Sequence, residues 1–340
     1  MVITSTGYYN TGSSAVCDLL KEYRSCSEGV YAGAGCEHII LYTPNGLFDL
    51  EDKLLIGNSI HRSDEALDTF KTAMLKLYKN NFIWFGNFKQ YFGEKFLREL
   101  DHFVDELVDY KTKTTWYYDY LDTKFSIARV IKNTIRKPLH INYSGDFSQK
   151  LVIREKGGIK YSFVTAEKFY SAAKQFINTY ISFSTTDNDK TLILDHFLLP
   201  HNLYRLPNYF DDNIRIFVVE RDPRDVYIQQ MNRRHQRSES IPMQIDEYIS
   251  FWRDLRRIEK PIEDNRICRI NFEDLIYDYD ETVSKIERFC GLNSADHIDP
   301  KKYFTPEKSI KNTKLYVGNT EYRTEIEKIE RELPEYLYLK

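Results

Sequence analysis

Apolar and polar positions alternate in two different rhythms along the chain. Short β-type apolar runs begin at Val2, at Thr191-Leu-Ile-Leu, at Ile214-Arg-Ile-Phe-Val-Val and at Ile267-Cys-Arg-Ile. Between them apolar residues recur at three- and four-residue spacing, the mark of amphipathic helices. The first such run carries Ala15, Val16, Leu19 and Leu20. Residues 63–79 predict a helix capped by Ser63, with Asp64 and Glu65 in its first turn. Residues 93–110 predict another, with Phe96, Leu100, Phe103, Val104, Leu107 and Val108 on one face. Further helices are expected over 119–135, over 165–183, after Pro223, and over 281–290, where Gly291 stops the last one. Residues 138–165 predict a β hairpin turning at Gly157-Gly158. Residues 25–58 read as loops with short elements.

Strands separated by helices predict a three-layer α/β/α fold with a central parallel sheet, P-loop-like in its first turn. No repeat or linker divides the chain. It reads as one domain over 1–340, with 30–185 as a mainly helical insertion facing an acceptor. Ligands of such sheets lie beyond the carboxyl ends of the strands. Three groups stand at those ends: the loop after the first strand, Asp195-His196, and Arg221.

Composition narrows the classes. The chain has 340 residues, 42% hydrophobic and 29% charged, a globular balance. A net charge of −3 does not suggest a nucleic-acid binder. Five cysteines without a C-x-x-C pair fit neither a disulfide framework nor a zinc site, and no histidine spacing suggests a metal. A reducing cytoplasm is the expected location. No apolar run is long enough for a membrane span, and Val2 opens the first strand with no room for a signal peptide ahead of it. The 26 tyrosines and 21 phenylalanines suit core and surface filling, or an aromatic acceptor groove for a sugar or an aryl ring.

The loop Gly7-Tyr-Tyr-Asn-Thr-Gly-Ser-Ser14 combines two glycines with the hydroxyls of Thr11, Ser13 and Ser14. It is a cradle for a phosphate-like anion. Its outline is that of a Walker A loop, but Ser13 stands where the lysine belongs. That argues against a P-loop-type kinase, which remains the alternative enzyme. Arg221-Asp-Pro-Arg-Asp-Val at a strand end offers a planar fork of donors for a second anion. Arg221 and Arg224 also have Asp222 and Asp225 beside them as ion-pair partners at a helix start.

Together these motifs resemble the sulfotransferases that use 3′-phosphoadenosine-5′-phosphosulfate (PAPS). Gly7 to Leu20 is similar to that family's 5′-phosphosulfate loop. Phe217 to Val226 is similar to its 3′-phosphate strand and helix. Arg269 to Tyr279, with Ile286 to Leu292, resembles a third conserved stretch. The resemblance implies that Tyr9, Asn10, Thr11, Gly12, Ser13 and Ser14 hold the 5′-phosphosulfate. It gives the 3′-phosphate to Arg221 and Gln229, with Ser309 and Lys311 of a late basic loop closing over it. The product would be 3′-phosphoadenosine 5′-phosphate (PAP), and no metal is implied.

Two positions depart from the family's pattern. Asn10 stands where a basic residue commonly helps the leaving phosphate, and Gln229 stands where a serine is common. Arg233, Arg234, Arg237, Lys308 and Lys311 are candidates for the missing cation. These departures keep a second alternative open, a nucleotide-binding protein with decayed catalysis. Asp195-His196 is the candidate base site. Either His196 or Asp195 can take the acceptor's proton, and His201 ranks below both. The expected acceptor is a hydroxyl, on a glycan or glycolipid precursor, with no indication of oligomeric state.

Overall fold

The computed structural model describes residues 1–82, 84–112, 159–233 and 241–340. The helix expected over 119–135 and the turn at Gly157-Gly158 lie outside the described residues, as do Arg234 and Arg237.

Five parallel strands form the sheet. They are β1 (Val2–Gly7), β2 (Cys26–Ser27), β5 (Thr191–Asp195), β6 (Ile214–Glu220) and β7 (Ile267–Asn271). Their order is β2-β5-β1-β6-β7, so β1 is central and its neighbours come from far along the sequence. Val2 pairs with both Leu192 and Ile214, and Gly7 with Val219. The pairing sets the ends of β1, β5 and β6 side by side. Two further short strands, β3 (Tyr110–Thr112) and β4 (Ile159–Tyr161), pair antiparallel apart from the main sheet.

The alternating side chains of these strands explain the layers. Leu192, Leu194, Ile216 and Val218 enter one apolar core; Ile3, Ile193, Phe217 and Val219 enter another. Helices α1 (Ser14–Leu20) and α6 (Tyr279–Cys290) cover the second face. The first face is covered by α2 (Ile60–Lys79), α3 (Glu94–Glu106) and α4 (Ala166–Ser184). Phe70, Phe103 and Phe176 from these three helices meet in one aromatic cluster. The described part of 30–185 therefore shares a core with the sheet. Between β6 and β7 runs α5 (Pro223–Arg233), followed by a helix over Ile245–Arg257.

Two boundaries differ from the periodicity. The cap of α2 is Ser59, not Ser63. Ser59 is extended, and its side chain accepts the Arg62 N–H at 3.2 Å. Ser63 is buried inside the first turn and donates to Ile60 O. The helix expected from residue 93 is preceded by a separate turn over Phe88–Phe92, because Gly93 at φ 59° breaks the path. No helix among the described residues is long and apolar enough to cross a membrane.

Candidate functional site

The loop that follows β1 is shaped by close contacts. A Cβ on Gly7 would fall 2.1 Å from Thr11 Oγ1, because that hydroxyl folds back to accept the Tyr8 N–H at 3.1 Å. Asn10 and Gly12 have φ of 60° and 86°, left-handed backbone that asparagine and glycine tolerate best. A Cβ on Gly12 would meet the Phe272 ring at 2.7 Å. Ser5 Oγ donates to Ser13 O at 2.8 Å and fixes the exit into α1. Among the described residues, the backbone N–H groups of Thr11, Gly12, Ser13 and Ser14 have no hydrogen-bond partner. A run of such donors on one turn is an anion nest.

One end of the loop meets Arg221. This side chain is only 4% exposed. Its Nη1 donates to Asn10 O at 2.9 Å and to Gln229 Oε1 at 2.8 Å, and its Nη2 donates to Asn312 O. The plane lies over Phe272, 5.1 Å from the ring centroid. Carbonyl and amide oxygens surround it, and no carboxylate pairs with it among the described residues. Its Nε is buried without a partner. Burial lowers the Arg221 pKa and the charge of Arg233 adds to that, while Asp225 and Glu273 act the other way. A buried cation with a spare donor beside an anion nest calls for an anion.

The neighbouring carboxylates are committed elsewhere. Arg224 is bound by Asp222 at 2.6 Å and Glu330 at 2.7 Å, and it lies over Tyr316. Arg224 is thus part of the framework. Asp225 accepts the N–H groups of Lys314 and Leu315, each at 2.7 Å. Burial, then the charge of Asp222, pushes its pKa up to about 6. Glu273 accepts the Asp222 N–H at 2.9 Å, and burial raises it to about 7.

The other end of the loop meets the candidate base. Ser13 Oγ lies 3.1 Å from His196 Nε2, and Ser14 Oγ donates to Asp195 Oδ2 at 2.8 Å. His196 Nδ1 is 2.9 Å from Asp195 Oδ1, so the two attract each other as an ion pair when the imidazole is charged. Asp195 Oδ1 also faces the Cys17 thiol at 3.6 Å. Burial opposes the charged form of both residues. Their mutual attraction prevails, holding His196 above and Asp195 below their ordinary values. Glu37 adds to the rise at His196. His196 has φ 52°, an uncommon conformation for a non-glycine residue and one that recurs at functional sites.

The structure thus brings together Asn10, Thr11, Gly12, Ser13, Ser14, Asp195, His196, Arg221 and Gln229. Tyr9 belongs to the same turn but its side chain is 55% exposed, against Phe251 at 5.8 Å. Ser309 and Lys311 sit on the short turns Pro306–Ser309 and Ile310–Asn312, and neither side chain bonds to another described residue. From that stretch it is Asn312 that reaches the site, its Oδ1 accepting the Gln229 Nε2 at 3.1 Å. Asn10 turns its amide to Gln230 at 3.2 Å. The charge of Arg233 reaches Arg221, and Lys308 forms no ion pair among the described residues.

Sequence reasoning singles out Asn312 in the late basic loop but missed Gln230, Glu37 and His38. The Glu37 backbone bridges to Asp195, and the His38 N–H donates to Asp195 O at 3.0 Å. His38 Nδ1 is 2.9 Å from the Tyr180 hydroxyl, and burial lowers its pKa to about 3. Glu37 and His38 lie in an irregular segment, where periodicity carries no signal, and Gln230 sits within α5, where helical spacing marks a buried position but not a contact. Among the described residues no group of three or more His, Cys, Asp or Glu is placed to hold a metal ion.

A sequence model described as "Sulfotransferase domain" matches residues 109–331, more than half of the chain. The match begins after the loop at 7–14. Solved structures similar in fold include the sulfotransferase domain from the olefin synthase of Synechococcus PCC 7002, at 13% identity and TM-score 0.40, covering 98% of this chain and 94% of that one. The sulfotransferase domain from the curacin biosynthetic pathway is 11% identical at TM-score 0.42, covering 100% and 98%. Sulfotransferase STF1 from Mycobacterium tuberculosis H37Rv is 13% identical at TM-score 0.33, covering 92% and 75%. No curated protein gives a significant match.

Proposed function

The chain belongs to the sulfotransferase family, and on that premise we propose that it moves a sulfuryl group from PAPS to a hydroxyl of a carbohydrate acceptor. The observation that carries the donor assignment is Arg221. It is a buried guanidinium with an orphan Nε and no paired carboxylate among the described residues, tied to the loop through Asn10 O. A donor with a phosphate at each end matches the two anion-seeking elements.

When bound, PAPS supplies the activated sulfuryl group. The free N–H groups of Thr11 to Ser14 and the Ser13 and Ser14 hydroxyls would hold its 5′-phosphosulfate; Arg221 and Gln229 would hold its 3′-phosphate. The residues present fit such a group: the loop leaves no room for a Cβ at Gly12, and its backbone N–H groups have no other partner among the described residues. His196 is the better base of the pair. Its Nε2 faces the loop and, among the described residues, meets only the Ser13 hydroxyl. Both Asp195 oxygens are already engaged, by Ser14 on one side and by Cys17 and His196 on the other. Asp195 therefore orients the imidazole and stabilises its charged form after the proton is taken. Arg221 is a cation bonded to the loop, and it brings a positive charge that Asn10 cannot supply.

The acceptor is read as a glycan or glycolipid precursor, from the aromatic content of the chain and the large segment inserted beside the base. The test is thermal denaturation with PAP in the absence of Mg²⁺, followed by an acceptor screen with labelled donor read by mass spectrometry. A PAP-induced rise in Tm and sulfated glycosides are expected. No shift with PAP, together with Mg²⁺–ATP binding by calorimetry, would replace this reading by phosphoryl transfer. Donor binding without turnover on any acceptor would leave a nucleotide-binding protein.

A further inference from the structure

Beyond the carboxyl end of β5 the sheet continues as single bridges. Asp195 pairs parallel with Glu37, and Glu37 pairs parallel with Phe85. The Glu37 N–H donates to Trp84 O at 2.6 Å. Three extended segments thus lie side by side at a ladder spacing of about 4.8 Å. Directly paired residues project to the same face, so Asp195, Glu37 and Phe85 stand in one row.

The far end of that row is aromatic and open. Phe82 stacks on Phe85 with ring centroids 5.8 Å apart and planes 12° apart, and Phe82 is 63% exposed. Trp84, 58% exposed, meets Phe85 edge-on at 6.0 Å. Between these rings and Asp195 stands the half-buried Glu37. Its carboxylate has no hydrogen-bond or ion-pair partner among the described residues, and its charge reaches His196.

We propose that the row Asp195, Glu37, Phe85, with the shelf of Phe82 and Trp84, is the acceptor subsite, and that it takes a neutral polyhydroxylated ring. This rests on the sulfotransferase reading with His196 as the base. The C–H face of a sugar ring lies on the shelf while one hydroxyl donates to Glu37 and another reaches His196. Two carboxylates in the row repel an anionic ring at this position. An aryl alcohol suits the shelf, but its single hydroxyl must stand at His196, which leaves the half-buried Glu37 without a donor and costs binding.

The test uses the full chain with PAP present and methyl glycosides of glucose, galactose and mannose as probes, read by saturation-transfer NMR. The same glycosides serve as acceptors for turnover with PAPS. Binding of at least one neutral glycoside is expected. Phe82→Ala, on an exposed ring, should weaken that binding and raise KM about tenfold, with kcat and the PAP-induced rise in Tm retained. Unchanged glycoside affinity in Phe82→Ala would overturn the proposal. So would methyl glucuronide binding as tightly as methyl glucoside, or turnover of 2-naphthol with no binding of any neutral glycoside. In those outcomes the PAP response of the wild type survives. Its absence would overturn the sulfotransferase reading at this site, and the subsite with it.

Discussion

Arg221 Nη1 donates to the backbone oxygen of Asn10 at 2.9 Å, across 211 residues of sequence. The bond ties the end of β6 to the turn after β1. It holds a buried cation against the loop through a carbonyl, which leaves the positive charge uncancelled. A carboxylate in that place would have neutralised the site.

Arg221→Ala should therefore abolish the stabilisation by PAP while leaving the fold intact. Loss of a charge-assisted contact of this type is worth about 2 kcal/mol, or some 30-fold in Kd. Isothermal titration with PAP measures it. Arg221→Lys should recover only part of the affinity, because a single ammonium cannot reproduce the fork.

His196→Ala should reduce kcat by roughly 10²–10⁴ with PAP affinity retained, as read by single-turnover assays. The base must be neutral to act, and Asp195 with Glu37 raises its pKa above the usual histidine value. The acid limb of the kcat profile should accordingly lie above pH 6.5. Asp195→Asn removes the main cause of the rise and should move the limb to lower pH. A limb that stays in place would separate Asp195 from the base.

Gly12→Ala should disrupt the cradle. The new methyl group would meet Phe272 at 2.7 Å on backbone at φ 86°. A cost of about 1–3 kcal/mol in stability is expected from strain and overpacking. The Tm of the free protein should fall, and the PAP response should weaken further than that fall explains.

Asp225 supports the stretch that brings Asn312 to Arg221, through the N–H groups of Lys314 and Leu315. Its pKa is raised to about 6, mainly by burial. The ionised form, the better acceptor, prevails above about pH 6 and is lost below it. PAP affinity should therefore decline as pH falls through about 6, although PAP itself and Glu273 also titrate near there. Asp225→Asn should bind PAP more weakly at pH 7.5 and should lose the part of the pH dependence that belongs to Asp225. Titration calorimetry at several pH values, wild type against variant, resolves that part.

The sequence by itself determined the strand runs, the parallel α/β class, and the polar groups at the strand ends. The reason is physical: strand and helix rhythms reflect burial on faces, and the residues at 7–14, 195–196 and 221 interrupt them with chemistry that a core does not need. Periodicity placed the helix cap at Ser63, because it cannot see that Ser59 is the residue extended enough to cap. Only the tertiary structure decided which of the late polar residues bonds to Arg221 and Gln229. Asn312 makes those bonds, and the side chains of Ser309 and Lys311 make none to a described residue, since that choice depends on how residues 306–312 run past α5. Arg221 and Arg224 stand three residues apart with similar neighbours; the resemblance already gave the anion to Arg221, and the fold supplies the physical reason. Asp222 and Glu330 pair with Arg224, and Arg221 is left facing carbonyls. Glu37 became visible for the same reason. Its place beside Asp195 comes from a bridge between distant segments, and no local pattern in the chain encodes it.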